Sequence, residues 1–249
     1  MAGDADIAKV GGLIADPARA RILLALGDGR SLPATVLASE AGVSASTTSA
    51  HLSKLVSGGL LAVQRQGRHR YYRLSGPAVG EALEKLMMLA PAAPVRSLRQ
   101  GTRANAVRSA RTCYDHLAGM LGAGMMTAML ERELLAGGDG AFTLGDDSRD
   151  RLSAPGQEHH YELTDRGRSE LTAFGLDLDA LQRLRRPLIR YCVDWSEQRH
   201  HLAGALGAAI AHRTLELGWI TPAKTGRAVR VTDAGRDGLQ ETFGLRLAA

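Results

Sequence analysis

Residues 42–75 read GVSASTTSAHLSKLVSGGLLAVQRQGRHRYYRLS, and their order decides the fold of the first part of the chain. A tight turn comes first, then a polar-faced helix, then a hairpin loaded with arginine. Gly42 permits the turn, and Ser44 is a good N-cap for the helix. Leu52, Leu55 and Val56 share one face at helical spacing and predict the side that packs on a core. Ser46, Thr47, Ser49, Ala50 and Lys54 are left facing outward, as small hydrogen-bonding or cationic groups able to reach bases and phosphates. This is the pattern of a winged helix-turn-helix, with one helix for the major groove and a hairpin for the DNA backbone.

Gly58-Gly59 ends the helix, and Leu60 to Arg65 and Arg68 to Leu74 read as two strands around Gln66-Gly67. Between His51 and Leu74 lie Lys54, Arg65, Arg68, Arg70 and Arg73 and no acidic residue. One-signed charge on a short hairpin points to phosphate, since a merely solvated hairpin mixes its signs. The candidate DNA contacts are Ser44, Ser46, Thr47, Thr48, Ser49, His51 and Lys54 on the helix, and Arg65, Gln66, Arg68, His69 and Arg70 on the wing.

The surrounding sequence completes a small helical domain. Ile7, Val10 and Ile14 mark a short amphipathic helix. Asp16-Pro17 opens the next, with Asp as N-cap and Pro at the first helical position. Ile22, Leu23 and Leu26 give that helix its buried face, and Pro33 to Ala41 reads as the helix before the turn. Val79, Leu83, Leu86, Met87 and Ala90 define a fifth helix, and the proline-bearing stretch 90–95 reads as a linker.

At 249 residues the chain is long enough for two or three small domains. Its net charge of +5 is concentrated: residues 1–80 carry nine Lys or Arg against five Asp or Glu. No apolar run has the length of a membrane span, and the acidic start MAGDADIAKV does not read as a signal peptide. Two cysteines 79 residues apart do not make a disulfide framework and suit a reducing cytosol. A cytoplasmic protein is the expectation. Aromatics at 4% disfavour single-strand binding by base stacking.

ADPARARILLAL, a further helix and GVSASTTSAHLSKLVSGGLLAVQRQGRHRYYRLS together resemble the ArsR/SmtB family of bacterial repressors over roughly residues 5–90. The resemblance implies a homodimer paired through the first and fifth helices, binding double-stranded DNA at a palindromic operator. It also implies repression relieved by a metal or small-molecule effector. Members often bind metal through cysteines near the turn, yet PATVLASEAG and SASTTSAHLSKLVSGGL hold none. The Asp and His pairs of another family site are missing from AVGEALEKLMMLA. Any sensor in this chain lies elsewhere.

The rest of the sequence repeats itself. RTCYDHLAGMLG (111–122) returns as RYCVDWSEQRHHLAGALG (190–207), and YELTDRGRSELTAFGLDL (161–178) returns as VRVTDAGRDGLQETFGLRL (229–247). Motifs recurring in one order indicate a copied unit of about 70 residues. Each copy reads as helix, long helix, hairpin and short helix, resembling a degenerate winged helix. Thr164-Asp165 and Thr232-Asp233 cap the short helices, and 136–160 is a polar insert in the first copy. Leu206, Ile210, Leu215, Leu217, Trp219 and Ile220 form the second copy's apolar core. The expected class is mainly α with small β-hairpins (α+β). It comprises a winged helix-turn-helix at 1–95 and winged-helix-like repeats at 96–180 and 181–249.

Cys113, Asp115 and His116 fall within one helical turn in this reading, with Cys192, Asp194, His200 and His201 as counterparts. Cys113, His116, Cys192 and His201 are the candidate metal ligands, because thiolate with imidazole suits zinc, cadmium or lead. No cofactor is certain. The plainer reading makes each Cys a small buried hydrophobe beside a paired, helix-capping Arg and Asp. A thiol redox switch without metal and an organic ligand between the copies stay open. The repeated glycines predict close backbone approach between the copies. A non-specific architectural DNA-binding protein is the rival to a regulator. An enzyme is not expected, since no oxyanion hole or orienting third group accompanies the thiols.

Overall fold

The computed structural model describes residues 4–27, 30–67, 69–91, 98–142, 160–223 and 227–247. They form two compact units, one reaching to Leu83, the other running from Glu84 to Ala223 and resuming at Ala228.

In the first unit the chain runs α1 (Ile7–Ile14), α2 (Pro17–Ala25), β1 (Leu32–Pro33), α3 (Ala34–Ala41), α4 (Ala45–Ser57), β2 (Leu61–Gln66) and β3 (His69–Leu74), and enters α5 (Pro77–Leu89). Short polar groups set the helix ends. The Asp16 carboxylate accepts from the N–H of Ala18 and Arg19 at 2.9 and 3.0 Å, and Pro17 needs no partner there. Gly42 takes the left-handed conformation (φ 70°) that ends α3, and the Ser44 hydroxyl accepts from Thr47 N–H to start α4. Ile22, Leu23, Leu26, Leu37, Leu52, Leu55 and Leu74 are buried together, with Val56 packed at the margin.

The wing has three strands in the order β1-β3-β2, all antiparallel, with Leu32 opposite Tyr72 and Leu61 opposite Leu74. The third strand, β1, escapes the sequence reading because two residues are too few to show alternation. Its proline sits on a sheet edge, where a missing N–H is tolerated.

The second unit follows with α6 (Leu98–Ser109), β4 (Arg111–Cys113), β5 (His116–Ala118), α7 (Gly119–Glu131), β6 (Leu135–Ala136), β7 (Glu162–Leu163), α8 (Asp165–Ala173) and α9 (Leu178–Gln182). It continues through β8 (Arg190–Val193), β9 (His200–Ala203), α10 (Gly204–Glu216), β10 (Ile220–Pro222), β11 (Val229–Val231) and α11 (Asp233–Phe243). Hairpin, long helix, hairpin and short helix thus occur twice. Thr164 and Thr232 cap α8 and α11 by accepting from Gly167 and Gly235 N–H. One core joins both successions, including Leu121, Met126, Met129, Leu206, Ile210, Leu239 and Phe243.

Two expectations are corrected here. The Arg-x-Cys-x-Asp segments are β-hairpins and not helices: β4 pairs with β5 and β8 with β9. Arg-Thr-Cys and Arg-Tyr-Cys-Val carry the β-branched and aromatic residues that suit strands, and Tyr114 turns the first hairpin with φ 60°. Leu215 and Leu217 are 37% and 39% exposed, at the C-terminal end of α10, so they do not belong to the core. Trp219 is partly buried, its ring 5.4 Å from that of Phe174.

Gly122 and Gly207 show why both long helices start with small residues. A Cβ on Gly122 would meet the Leu117 carbonyl oxygen at 2.4 Å, and one on Gly207 the Leu202 oxygen at 2.5 Å. The same two Cβ positions lie 3.4 Å from the Cβ of His201 and of His116, each on the other hairpin. Each helix therefore crosses closely over its own strand and against the other hairpin.

Leu55→Ala should cost the first unit about 2–5 kcal/mol, while exposed Lys54→Ala should stay within about 0.5 kcal/mol. Urea unfolding followed by circular dichroism measures both, and equal losses would contradict the burial of Leu55.

Candidate functional site

The helix-turn-helix presents α4 and the wing as a polar surface. Ser46, Thr47, Ser49 and Lys54 are exposed, and the hydroxyls of Ser46 and Thr47 lie 3.0 and 2.9 Å from Ser44 Oγ. Thr48 is a correction. It is fully buried, and its hydroxyl donates to the Ser44 carbonyl at 2.9 Å, so it stiffens the helix start and cannot meet a base. His51 is also largely withdrawn, with its side chain 14% exposed and Nε2 3.9 Å from Asp16. On the wing Arg65, Gln66, His69 and Arg70 are exposed, while Arg68 lies outside the described residues. Arg65 stands directly opposite Arg70, and Gln66 opposite His69. Like charges facing across a ladder destabilise it, a cost that a bound phosphate would remove.

The second cluster is built by the paired hairpins. Cys113 and His116 are cross-strand partners in one hairpin, and Cys192 and His201 are cross-strand partners in the other. One ligand atom from each of the four lies within 4.8 Å of all the others. Cys113, His116 and His201 are buried, and Cys192 is half-buried. The two imidazoles lie 5.2 Å apart, tilted by 30°. His200, next along β9, falls on the opposite face as strand alternation demands, and its Nδ1 is 2.6 Å from the Tyr161 hydroxyl. Of the other histidine doublet, His160 is exposed and residue 159 lies outside the described residues.

Two aspartates back the two histidines. Asp115 Oδ1 is 3.2 Å from His116 Nδ1, and Asp194 Oδ2 is 3.4 Å from His201 Nδ1, near enough for an ion pair but not aligned as a hydrogen bond. The arginine pairing of the motif crosses between copies. Arg111 donates to Asp194 at 2.8 Å, and Arg186 to Asp115 at 2.6 Å. Asp194 also accepts from Gly119 N–H at 2.7 Å, capping α7 from the other hairpin. Sequence reasoning missed Arg186, which lies outside the repeated motif and joins it only through folding.

Protonation follows from these contacts. Burial works against the His116 cation, but Asp115 and Cys192 outweigh it and raise its pKa to about 9. The Cys113 thiol is pushed well up by its hydrogen bond to Cys192 and by burial. That same hydrogen bond, opposed by burial and aided by His116 and His201, holds the Cys192 thiol well below its ordinary value. For Asp194, burial is overcome by His201 and Arg111, which keep the carboxyl far below the usual range. The result is a pair of thiols pushed apart in acidity and flanked by imidazoles, with His116 Nε2 and both ring nitrogens of His201 making no ordinary hydrogen bond.

The family described as "Helix-turn-helix domain" matches residues 14–64, which span the end of α1 through most of β2. The HTH-type transcriptional regulator YdfF of Bacillus subtilis (strain 168) is 36% identical over 242 residues, covering 97% of this chain and 99% of the relative. The chain belongs to the HTH-type transcriptional regulators. CmtR of Mycobacterium tuberculosis (strain ATCC 25618 / H37Rv), another such regulator, is 39% identical over 83 residues, 33% of this chain and 70% of CmtR. A solved structure of the cadmium metal-sensor CMTR from that species is 36% identical, covering 36% of this chain and 94% of its own, with a TM-score of 0.31. This regulator therefore carries a DNA-binding helix-turn-helix. Among the described residues no helix is long and apolar enough to cross a membrane.

Two measurements test these surfaces. Arg70→Ala should weaken all DNA sequences alike and reduce the salt slope of binding by about one, whereas Thr47→Ala should change sequence preference by about 1–3 kcal/mol at one base pair. An unchanged slope would remove Arg70 from the interface. In the reduced, metal-free protein, Cys192 holds its thiolate to lower pH than an ordinary thiol. Its alkylation rate should fall less steeply from about pH 8 to pH 6.5 than that of a free thiol, which loses about tenfold per unit. Cys113 should resist alkylation throughout, and mass spectrometry of iodoacetamide-treated protein reads both sites.

Proposed function

We propose that this regulator is a homodimeric repressor of a palindromic DNA operator, released when a soft or borderline divalent ion binds Cys113, His116, Cys192 and His201. The observation that carries the reading is the convergence of four ligand atoms within 4.8 Å, two from each hairpin. Tetrahedral zinc sites have Zn–S near 2.3 Å and Zn–N near 2.0–2.1 Å, which sets ligand–ligand spacings of about 3.3–3.8 Å. Movements of about half an ångström per ligand would close the cluster to that size. Buried imidazole nitrogens without ordinary partners, each ring backed by a carboxylate, are what a ligating histidine needs. A Cys₂His₂ donor set prefers zinc, cadmium or lead over magnesium or calcium.

In this reading residues 1–95 read the operator, and the repeats 96–180 and 181–249, winged-helix-like in plan, form the sensor. Ser46, Thr47, Ser49 and Lys54 meet the major groove, and Arg65 and Arg70 the backbone. Exposed apolar residues on the two helices that the family resemblance assigns to dimer pairing support the homodimer: Ile7 and Val10 on α1, Leu86 and Leu89 on α5. A second reading rests on the contact between Cys113 and Cys192, which suits a redox switch without metal.

Titration of the reduced protein with cadmium, following thiolate-to-metal absorbance and operator binding together, tests the proposal. Saturation with loss of DNA affinity is expected, and both should vanish in a Cys113→Ser, Cys192→Ser double variant. Absence of the absorbance band would overturn the metal reading. DNA release only on oxidation, reversed by a reductant, would put the redox switch in its place.

A further inference from the structure

We infer that Arg111 and Glu84 are positioning residues that convey the state of the Cys/His cluster to α5, an inference that rests on the metal reading above. The Arg111 guanidinium is wholly buried, so no water can meet its charge and its partners must. Its Nη2 sits between two carboxylates, 2.8 Å from Asp194 Oδ1 and 3.9 Å from Glu84 Oε2. Nη1 is held by Ser196 Oγ at 3.1 Å and the Val107 carbonyl at 3.3 Å, and the group lies 4.7 Å over the Trp195 ring. Asp194 in turn faces His201 at 3.4 Å, without the alignment of a hydrogen bond.

The contacts form one line: His201 to Asp194, Asp194 to Arg111, Arg111 to Glu84. A histidine that ligates through Nε2 becomes a stronger donor at Nδ1, and its backing carboxylate tightens onto it. Asp194 then turns toward His201 at the expense of Arg111. The buried cation recovers what it loses from its second carboxylate, Glu84. Glu84 belongs to α5, the helix that supplies Leu83 to the core of the first unit and packs Met88 on the core of the second. A change in the grip on Glu84 is thus a force on a helix rooted in the DNA-binding fold. Among the described residues the other hairpin shows no such line: Asp115 pairs with Arg186, whose side chain is 40% exposed where that of Arg111 is wholly buried.

The test uses the full-length chain with cadmium as probe, comparing wild type with Glu84→Gln and Arg111→Lys. Each variant is read for cadmium affinity, for operator affinity without the ion, and for the drop in operator affinity that the ion causes. Glu84→Gln keeps the shape of a partly exposed side chain and should leave the first two at wild-type values. The cadmium-induced drop should shrink by about fivefold or more. Arg111→Lys, which keeps charge but loses the fork, should shrink it as well, and Trp195 emission should no longer respond to cadmium. A full drop in both variants would overturn the inference while leaving the metal reading intact. So would loss of cadmium binding in Glu84→Gln, since the pair would then hold the cluster together and not report on it. A wild-type chain that binds no cadmium would refute the metal reading, and this inference with it.

Discussion

The second unit depends on one buried carboxylate. Asp194 takes the Arg111 guanidinium, the N–H of Gly119, and the N–H groups of Ser196 and Glu197, and stands beside His201. Removing an ionised carboxylate from water costs several kcal/mol, which only a nearly complete shell of donors can offset. Asp194 has that shell, and its donors come from both hairpins. Folding of one hairpin is therefore incomplete without the other. The thiols and imidazoles meet because the structures that carry them are fastened at this point.

The DNA-reading unit was legible because its information is local. Ser44, Asp16 and Gly42 act within a few residues of themselves, and the spacing of Leu52 and Leu55 announces a helix face without reference to anything distant. Thr48 was misread for a related reason. Helical periodicity places it among polar neighbours, and only the turn geometry reveals that its hydroxyl is spent on the Ser44 carbonyl.

The second unit was legible in its repetition and opaque in its geometry. Identical motifs told which residues belong together: Cys113 with Cys192, His116 with His201. They could not tell that the motifs are hairpins. Three or four residues per strand are too few for alternation to show, and the glycines that follow favour no structure on their own. Arg186 had no signal at all, since its partner Asp115 lies 71 residues earlier in the chain. The crossing of Arg111 to the other copy's aspartate, in place of its own, is likewise a product of tertiary fit.

Each hairpin contributes one sulfur and one imidazole, so neither is more than half of a chelate. In an assembly of separate chains, completing such a chelate would depend on how many copies the cell holds. Here both halves are written into a single polypeptide, and bringing them together is an intramolecular event with a fixed effective concentration. On the proposed metal reading, loading of the cluster follows the supply of the ion and does not depend on two chains meeting.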